Sequence, residues 1–240
     1  MVYNKMNELD GIKLMKKAVF IEKERILVIS DIHMGYEESL NKQGVFLPRF
    51  QFKETIQDLQ EILKITGKVN TIVILGDLKH EFGSISRQEW TDTLNLLEIL
   101  ENHCNEIVLV KGNHDTILGP IAEKRNIKVQ DYYKFKEYFF CHGNKEFLQV
   151  FEKDVKYIFV GHLHPAVALR EESKIEKYKC FLIGSEKGKT IIVLPSFIPI
   201  IEGTDLINSK LKIFNKISVE DFNVYAIEDE VYPLGKYRDI

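Results

Sequence analysis

Ile107-Val108-Leu109-Val110-Lys111-Gly112-Asn113-His114-Asp115 sets the frame for the whole chain. A short apolar run rich in β-branched residues reads as a buried parallel strand. Polar residues just past it sit at the strand's carboxyl end, where open α/β sheets gather their ligands. The same arrangement occurs twice upstream: Ile26-Leu27-Val28-Ile29 precedes Asp31-Ile32-His33, and residues 71–75 precede Gly76-Asp77. Three strands that deliver polar groups to one crevice make this an α/β chain.

Two further groups follow, Cys141-His142-Gly143 and Gly161-His162-Leu163-His164. Residues i and i+2 of a strand share a face, so Asp31 with His33, and His162 with His164, are expected to point into the crevice while Leu163 faces away. By the same alternation after Phe139 and Phe140, the Cys141 thiol points opposite to the His142 imidazole and stays out of the site. Glycine precedes a polar residue at positions 76, 112 and 161, where the backbone must turn sharply or approach a ligand closely. The set supplies two carboxylates, an amide and four imidazoles, enough to hold two divalent metals roughly 3.5–4 Å apart around a shared ligand. Oxygen and imidazole ligands without thiolate suit Mn, Fe, Zn, Ni or Co in an open, catalytic site rather than a structural zinc cage. A pattern such as D-x-H alone recurs by chance about once per few hundred to a thousand residues, so specificity lies in the whole ordered set.

That ordered set, D-x-H, G-D, G-N-H-D, H and G-H-x-H, resembles the calcineurin-like metallophosphoesterase superfamily over roughly residues 26–165. The resemblance implies a four-layer αββα sandwich of two mixed β-sheets flanked by helices. It implies Asp31, His33, Asp77 and His164 on one metal and Asp77, Asn113, His142 and His162 on the other, with Asp77 as the bridge. Manganese comes first among the ions expected. A hydroxide shared by the metals would attack phosphorus in line, and His114 would reach the substrate to protonate the leaving alkoxide or stabilise charge on the phosphoryl group.

His80 stands three residues after Asp77, where the phosphoprotein phosphatase branch carries a carboxylate; repair nucleases of the superfamily can carry histidine there. We read His80 as a support or substrate-side partner of His114. Asp115, in place of that branch's glutamate, points the same way. Further similarity is to SbcD-related, mostly archaeal, phosphoesterases and to ligase-associated endonuclease-like relatives. It rests on Phe46-Leu47-Pro48-Arg49-Phe50-Gln51-Phe52, residues 76–83, 177–182, 194–197 and 202–204, and extends the span to about 26–205. The expected function is a phosphodiesterase or nuclease acting on DNA, single-stranded or damaged. The alternative is a phosphatase or pyrophosphatase acting on a nucleotide or other small phosphorylated molecule. A scaffold that had lost its chemistry would show eroded ligands, and every ligand is present.

The chain has 240 residues, is 45% hydrophobic and carries a net charge of −3. With no linker-like or low-complexity tract, residues 1–240 read as one domain with metal motifs over 31–164 and a β-rich half over 165–240. No apolar run approaches the roughly 18 residues of a membrane span, and residues 1–17 are too polar for a signal sequence. Three scattered cysteines suggest reduced thiols and a cytoplasmic setting. The charge leaves no overall footprint for a polyanion, so Arg49 and Lys79 are offered as local substrate contacts. Apolar spacing predicts helices over 52–66 and 87–103; Trp90 lies on the apolar stripe of the second and is expected in the core rather than as a platform for bases. Short β-type runs at 166–170, 179–183, 190–194 and 222–227 predict a second, mixed or antiparallel sheet. Val224, Tyr225, Val231 and Tyr232 either pack there or pair with a second copy or a repair-complex partner.

Overall fold

The computed structural model describes residues 9, 11–83, 85–116, 118–125, 127–171 and 174–240. β1 (Ile12–Met15), β2 (Ala18–Ile21), β3 (Ile26–Ile29), β4 (Val69–Leu75), β5 (Cys104–Val110) and β6 (Lys128–Gln130) lie side by side in that order. The first three form an antiparallel meander and β3 to β6 are parallel. Parallel neighbours need crossovers, and helices supply them. These are α1 (Tyr36–Lys42) and α2 (Gln51–Thr66) after β3, α3 (Arg87–Glu101) after β4, and α4 (Gly119–Arg125) after β5. Ser86 caps α3 in a reciprocal capping box with Glu89, which fixes where that helix begins.

The second sheet contains β7 (Tyr132–Phe135), β8 (Tyr138–Cys141), β9 (Tyr157–Val160), β10 (Pro165–Glu171), β11 (Lys174–Glu186), β12 (Lys189–Val193) and β13 (Thr204–Asp205). Its order is β13-β10-β11-β12-β9-β8-β7; a hairpin β14 (Lys212–Ile213) and β15 (Ile217–Ser218) stands apart. β16 (Asn223–Ile227) pairs with β11 and carries β17 (Val231–Lys236) as an edge strand. Val224 is therefore core, while Tyr232 is partly exposed on the rim.

Alternation along the strands builds the layers. Val28, Val73, Leu75, Val108 and Val110 of the first sheet meet Phe140, Phe159, Phe181 and Ile192 of the second in one buried cluster. The intervening residues Leu27, Ile29, Ile72, Ile74 and Leu109 pack instead against Leu59, Ile62, Leu63, Leu97 and Leu100 of α2 and α3. Trp90 packs against this same cluster, as its stripe predicts. Burying both faces of a parallel sheet is what makes its strands continuous apolar runs.

The sandwich is the one expected, with a difference in its outermost layer. The far face of the second sheet, including Phe139, Cys141, Ile158 and Val193, is covered by a 3-10 turn at Leu148–Phe151 and by Leu206, Ile213, Phe214, Val219 and Phe222. No α-helix lies there among the described residues, because β10, β11 and β12 follow one another antiparallel and need no crossover. The β1–β2 hairpin was not anticipated, because its four-residue strands are joined by a Lys16-Lys17 turn and the stretch reads as a charged lead-in. No helix among the described residues is long and apolar enough to cross a membrane.

Candidate active site

Register brings the polar groups together. Ile29 pairs with Ile74 and Ile74 with Leu109, so the strands end level and Asp31, Asp77 and Asn113 emerge along one edge. In the second sheet Cys141 pairs with Val160, which sets His142 beside Gly161. The Cys141 side chain joins the far-side cluster, as alternation predicts.

The pairing of Asp31 with His33, and of His162 with His164, does not come from strand alternation as expected. All four lie beyond the strands in left-handed backbone, with φ of 52°, 49°, 67° and 46°, and Asp77 joins them at 49°. Such conformations cost on the order of 1–3 kcal/mol each for non-glycine residues and persist where surrounding structure enforces them, typically at functional sites. Here the enforcement is visible: Asp31 accepts N–H bonds from His162 (3.0 Å) and the hydroxyl of Ser30, and Asp77 Oδ1 accepts the His114 N–H (2.8 Å). A Cβ on Gly112 would lie 2.1 Å from Asp77 Oδ1, and one on Gly161 would lie 1.9 Å from Ser30 Oγ. Both glycines are there because the loops touch.

Among the described residues three groups of ligand atoms lie mutually within 4.8 Å: first Asp31, His33 and His164, second Asp77, His142 and His162, and third His33, His80 and His114, the first two made wholly of sequence-predicted ligands. Asn113 Oδ1 sits 3.0 Å from His142 Nε2 and so joins the second. Asp77 Oδ2 is 3.5 Å from His33 Nε2 and 3.3 Å from His142 Nε2, between the groups. The structure thus gathers all seven sequence-predicted ligands.

These residues fit a pair of divalent cations. His33 Nε2 is buried with no hydrogen-bond partner, an arrangement that costs about 1–3 kcal/mol unless something else fills the role. His142 Nδ1 donates to the Leu75 carbonyl (2.8 Å), which turns Nε2 toward Asp77 and Asn113, the tautomer a ligand needs. Burial would lift Asp31, but the imidazoles of His164, His142 and His33 hold it well below the carboxylate range. Burial would likewise depress His142, and the hydrogen bond to Asp77 with the charges of Asp31 and Asp77 outweighs it, raising the group to about 9. Burial dominates at His33, which falls to about 3, and at His80, which falls to about 4.

His80 and His114 form one wall. The two rings stack with centroids 5.2 Å apart, and His114 Nδ1 donates to the His80 carbonyl at 2.5 Å. His80 Nδ1 also lies 3.2 Å from His33 Nδ1. Lys79 is corrected as a substrate contact: it is fully buried and its ammonium donates to the carbonyls of Glu81 and His114 (2.7 Å to the latter). Arg49 donates to Gln88 Oε1 at 2.8 Å.

The side chains that hold these loops carry no local sequence signal for that role, and Asp115 stands out in the sequence only by its departure from the phosphatase branch. Asp115 accepts N–H bonds from Leu78 (3.1 Å) and Gly112 (3.0 Å), tying the loop after β4 to the one after β5. Gln51 donates to the His33 carbonyl (2.7 Å), and its own N–H is accepted by buried Glu37 (2.9 Å). Buried Glu89 accepts the N–H groups of His80 (2.8 Å) and Glu81 (3.0 Å). Glu89→Ala should therefore lower unfolding free energy by about 1–3 kcal/mol per orphaned donor. Activity should fall while bound metal is kept, and Glu89→Gln should restore part of both, as read by denaturant melts and metal analysis.

On the other side, Lys179 donates to Ser196 Oγ (2.7 Å) and the Ile201 carbonyl (2.6 Å), clamping a segment whose Phe197 N–H bonds the Ser30 carbonyl (2.9 Å) and whose Thr204 N–H bonds the His164 carbonyl (2.7 Å). Burial brings Lys179 down to about 7, with the Lys17 charge adding to it. A folded-state value below the free one means the unfolded chain binds more protons above that pH, so this group makes stability rise as pH increases from about 7. Thermal midpoints should climb between pH 7 and about 8.5, and Lys179→Met should flatten the climb.

The model of the calcineurin-like phosphoesterase family matches residues 24–166, more than half the chain. No curated protein matches it significantly. Among solved structures it resembles the nuclease MPE of Pseudomonas putida, at 20% identity over 91% of this chain and 92% of that one, with a TM-score of 0.65. A predicted phosphoesterase from Streptococcus pneumoniae aligns at 17% identity over 92% of this chain and 95% of that one, with a TM-score of 0.35. With its ordered motifs converging on one edge of two mixed sheets, the chain belongs to the calcineurin-like phosphoesterase family.

Proposed function

We propose that the chain is a dinuclear, metal-dependent phosphodiester hydrolase acting on single-stranded DNA. The observation that carries this reading is the pair of ligand groups joined at Asp77, walled by His114. Asp31, His33, Asp77 and His164 would hold one cation, and Asp77, Asn113, His142 and His162 the other. Such a pair, with manganese first among the ions proposed, would supply an acidified water as nucleophile toward phosphorus and would offset charge on the phosphoryl oxygens.

The chain's own residues do the rest. His33 must keep Nε2 free as a ligand, so its proton sits on Nδ1 and is donated to His80 Nδ1, 3.2 Å away. His80, neutral because it is buried, then carries its own proton on Nε2. The His80 carbonyl holds His114 Nδ1–H, so His114 acts as an acid in its imidazolium form, giving the Nε2 proton to the departing alkoxide and remaining as the neutral Nδ1–H tautomer. A wall of imidazole and phenyl rings suits a singly charged diester with an organic substituent. A doubly charged monoester would favour extra side-chain cations, and the Lys79 ammonium is committed to the carbonyls of Glu81 and His114. The fold likeness to a nuclease supports the same choice.

Turnover of an aryl diester against the matching aryl monoester tests the reading. The diester should be preferred. Turnover of the monoester alone would replace it with a phosphatase or pyrophosphatase acting on a nucleotide or small phosphorylated molecule.

A further inference from the structure

Four rings run outward from the site. Tyr36 meets His80 edge-on at 4.7 Å between centroids, His80 stacks on His114 at 5.2 Å, and Phe82 lies over His114 at 3.9 Å with 32° between planes. Phe82 is the outermost and is 55% exposed, although large aromatics usually hide in cores. Its backbone is not free to swing. Glu89 accepts the N–H of Glu81 at 3.0 Å, the Lys79 ammonium donates to the Glu81 carbonyl, and the Thr116 hydroxyl donates to the carbonyl of Phe82 itself. An apolar ring is thus presented to solvent on an anchored loop, one ring beyond the residue that faces the leaving group.

We propose that Phe82 is a substrate-contact residue whose open face stacks on the nucleobase of the leaving nucleoside. The proposal rests on the diesterase reading above. A chain of net charge −3 presents no overall positive field to a strand, so contacts to the bases would add to whatever grip the metal pair has on the scissile phosphate. Base–aromatic stacking supplies about 1–3 kcal/mol per base, is tolerant of sequence and requires an unpaired base. Binding should therefore discriminate against duplex.

The test compares two single-stranded oligonucleotides, one with normal bases and one with abasic tetrahydrofuran residues flanking the only cleavable phosphate. Wild type should prefer the base-bearing strand. Phe82→Ala should lose about 10- to 100-fold in kcat/KM on that strand, mostly through KM, and lose much less on the abasic one, so that the preference shrinks. Phe82→Trp should restore it. Equal losses on both strands would mean that Phe82 only props His114, which overturns the proposal and leaves the diesterase reading standing. Cleavage of neither strand by wild type that hydrolyses an aryl phosphate would overturn the nucleic-acid reading and the proposal with it.

Discussion

Asp77→Asn is expected to strip metal from both ligand groups and leave activity near background. Asp77 Oδ2 lies between His33 Nε2 and His142 Nε2, so a neutral amide there removes the charge both groups share. Loss of a partner that merely supports a ligand costs about 10- to 100-fold in metal affinity, and loss of the bridging ligand should exceed that. The substitution also touches the fold, because Asp77 Oδ1 accepts the His114 N–H at 2.8 Å. An asparagine oxygen can keep that bond, so the variant should melt as a folded protein. Metal content, activity and a thermal melt on one preparation separate the effects; full metal with normal turnover would remove Asp77 from its bridging role.

His114→Ala should behave in the opposite way, keeping its metals while kcat falls about 10²–10⁴-fold, the range for a positioned general acid. His114 belongs to neither of the two ligand groups joined at Asp77, and its Nδ1 is engaged by the His80 carbonyl. The penalty should shrink on a substrate with a good leaving group such as p-nitrophenolate, which needs no proton. Loss of metal in His114→Ala would instead make it a ligand, drawing on the grouping of His33, His80 and His114 within 4.8 Å.

What could be read from sequence follows from what carries a local signal. β3, β4 and β5 announce themselves because both faces are buried, and α2 and α3 because their apolar spacing is helical. The ligand residues were legible as ordered motifs. Their left-handed backbone was not, since it is uncommon for any non-glycine residue and is enforced here by contacts between loops distant in sequence. Gln51, Glu89 and Lys179 were illegible as supports because each acts on a distant backbone group, His33, His80 or Ile201. Yet three of the segments that carried the narrower family resemblance hold such supports: Gln51 lies in one, Lys179 in another, and Gly203-Thr204 packs on the His164 carbonyl in a third.

Circular single-stranded DNA incubated with Mn²⁺, using wild type and Asp77→Asn with metal content measured on both, is the most direct test of the central claim. Metal-dependent nicking by wild type, lost in the variant, is the predicted result. Intact circles after incubation with wild type that demonstrably carries its metals would contradict it.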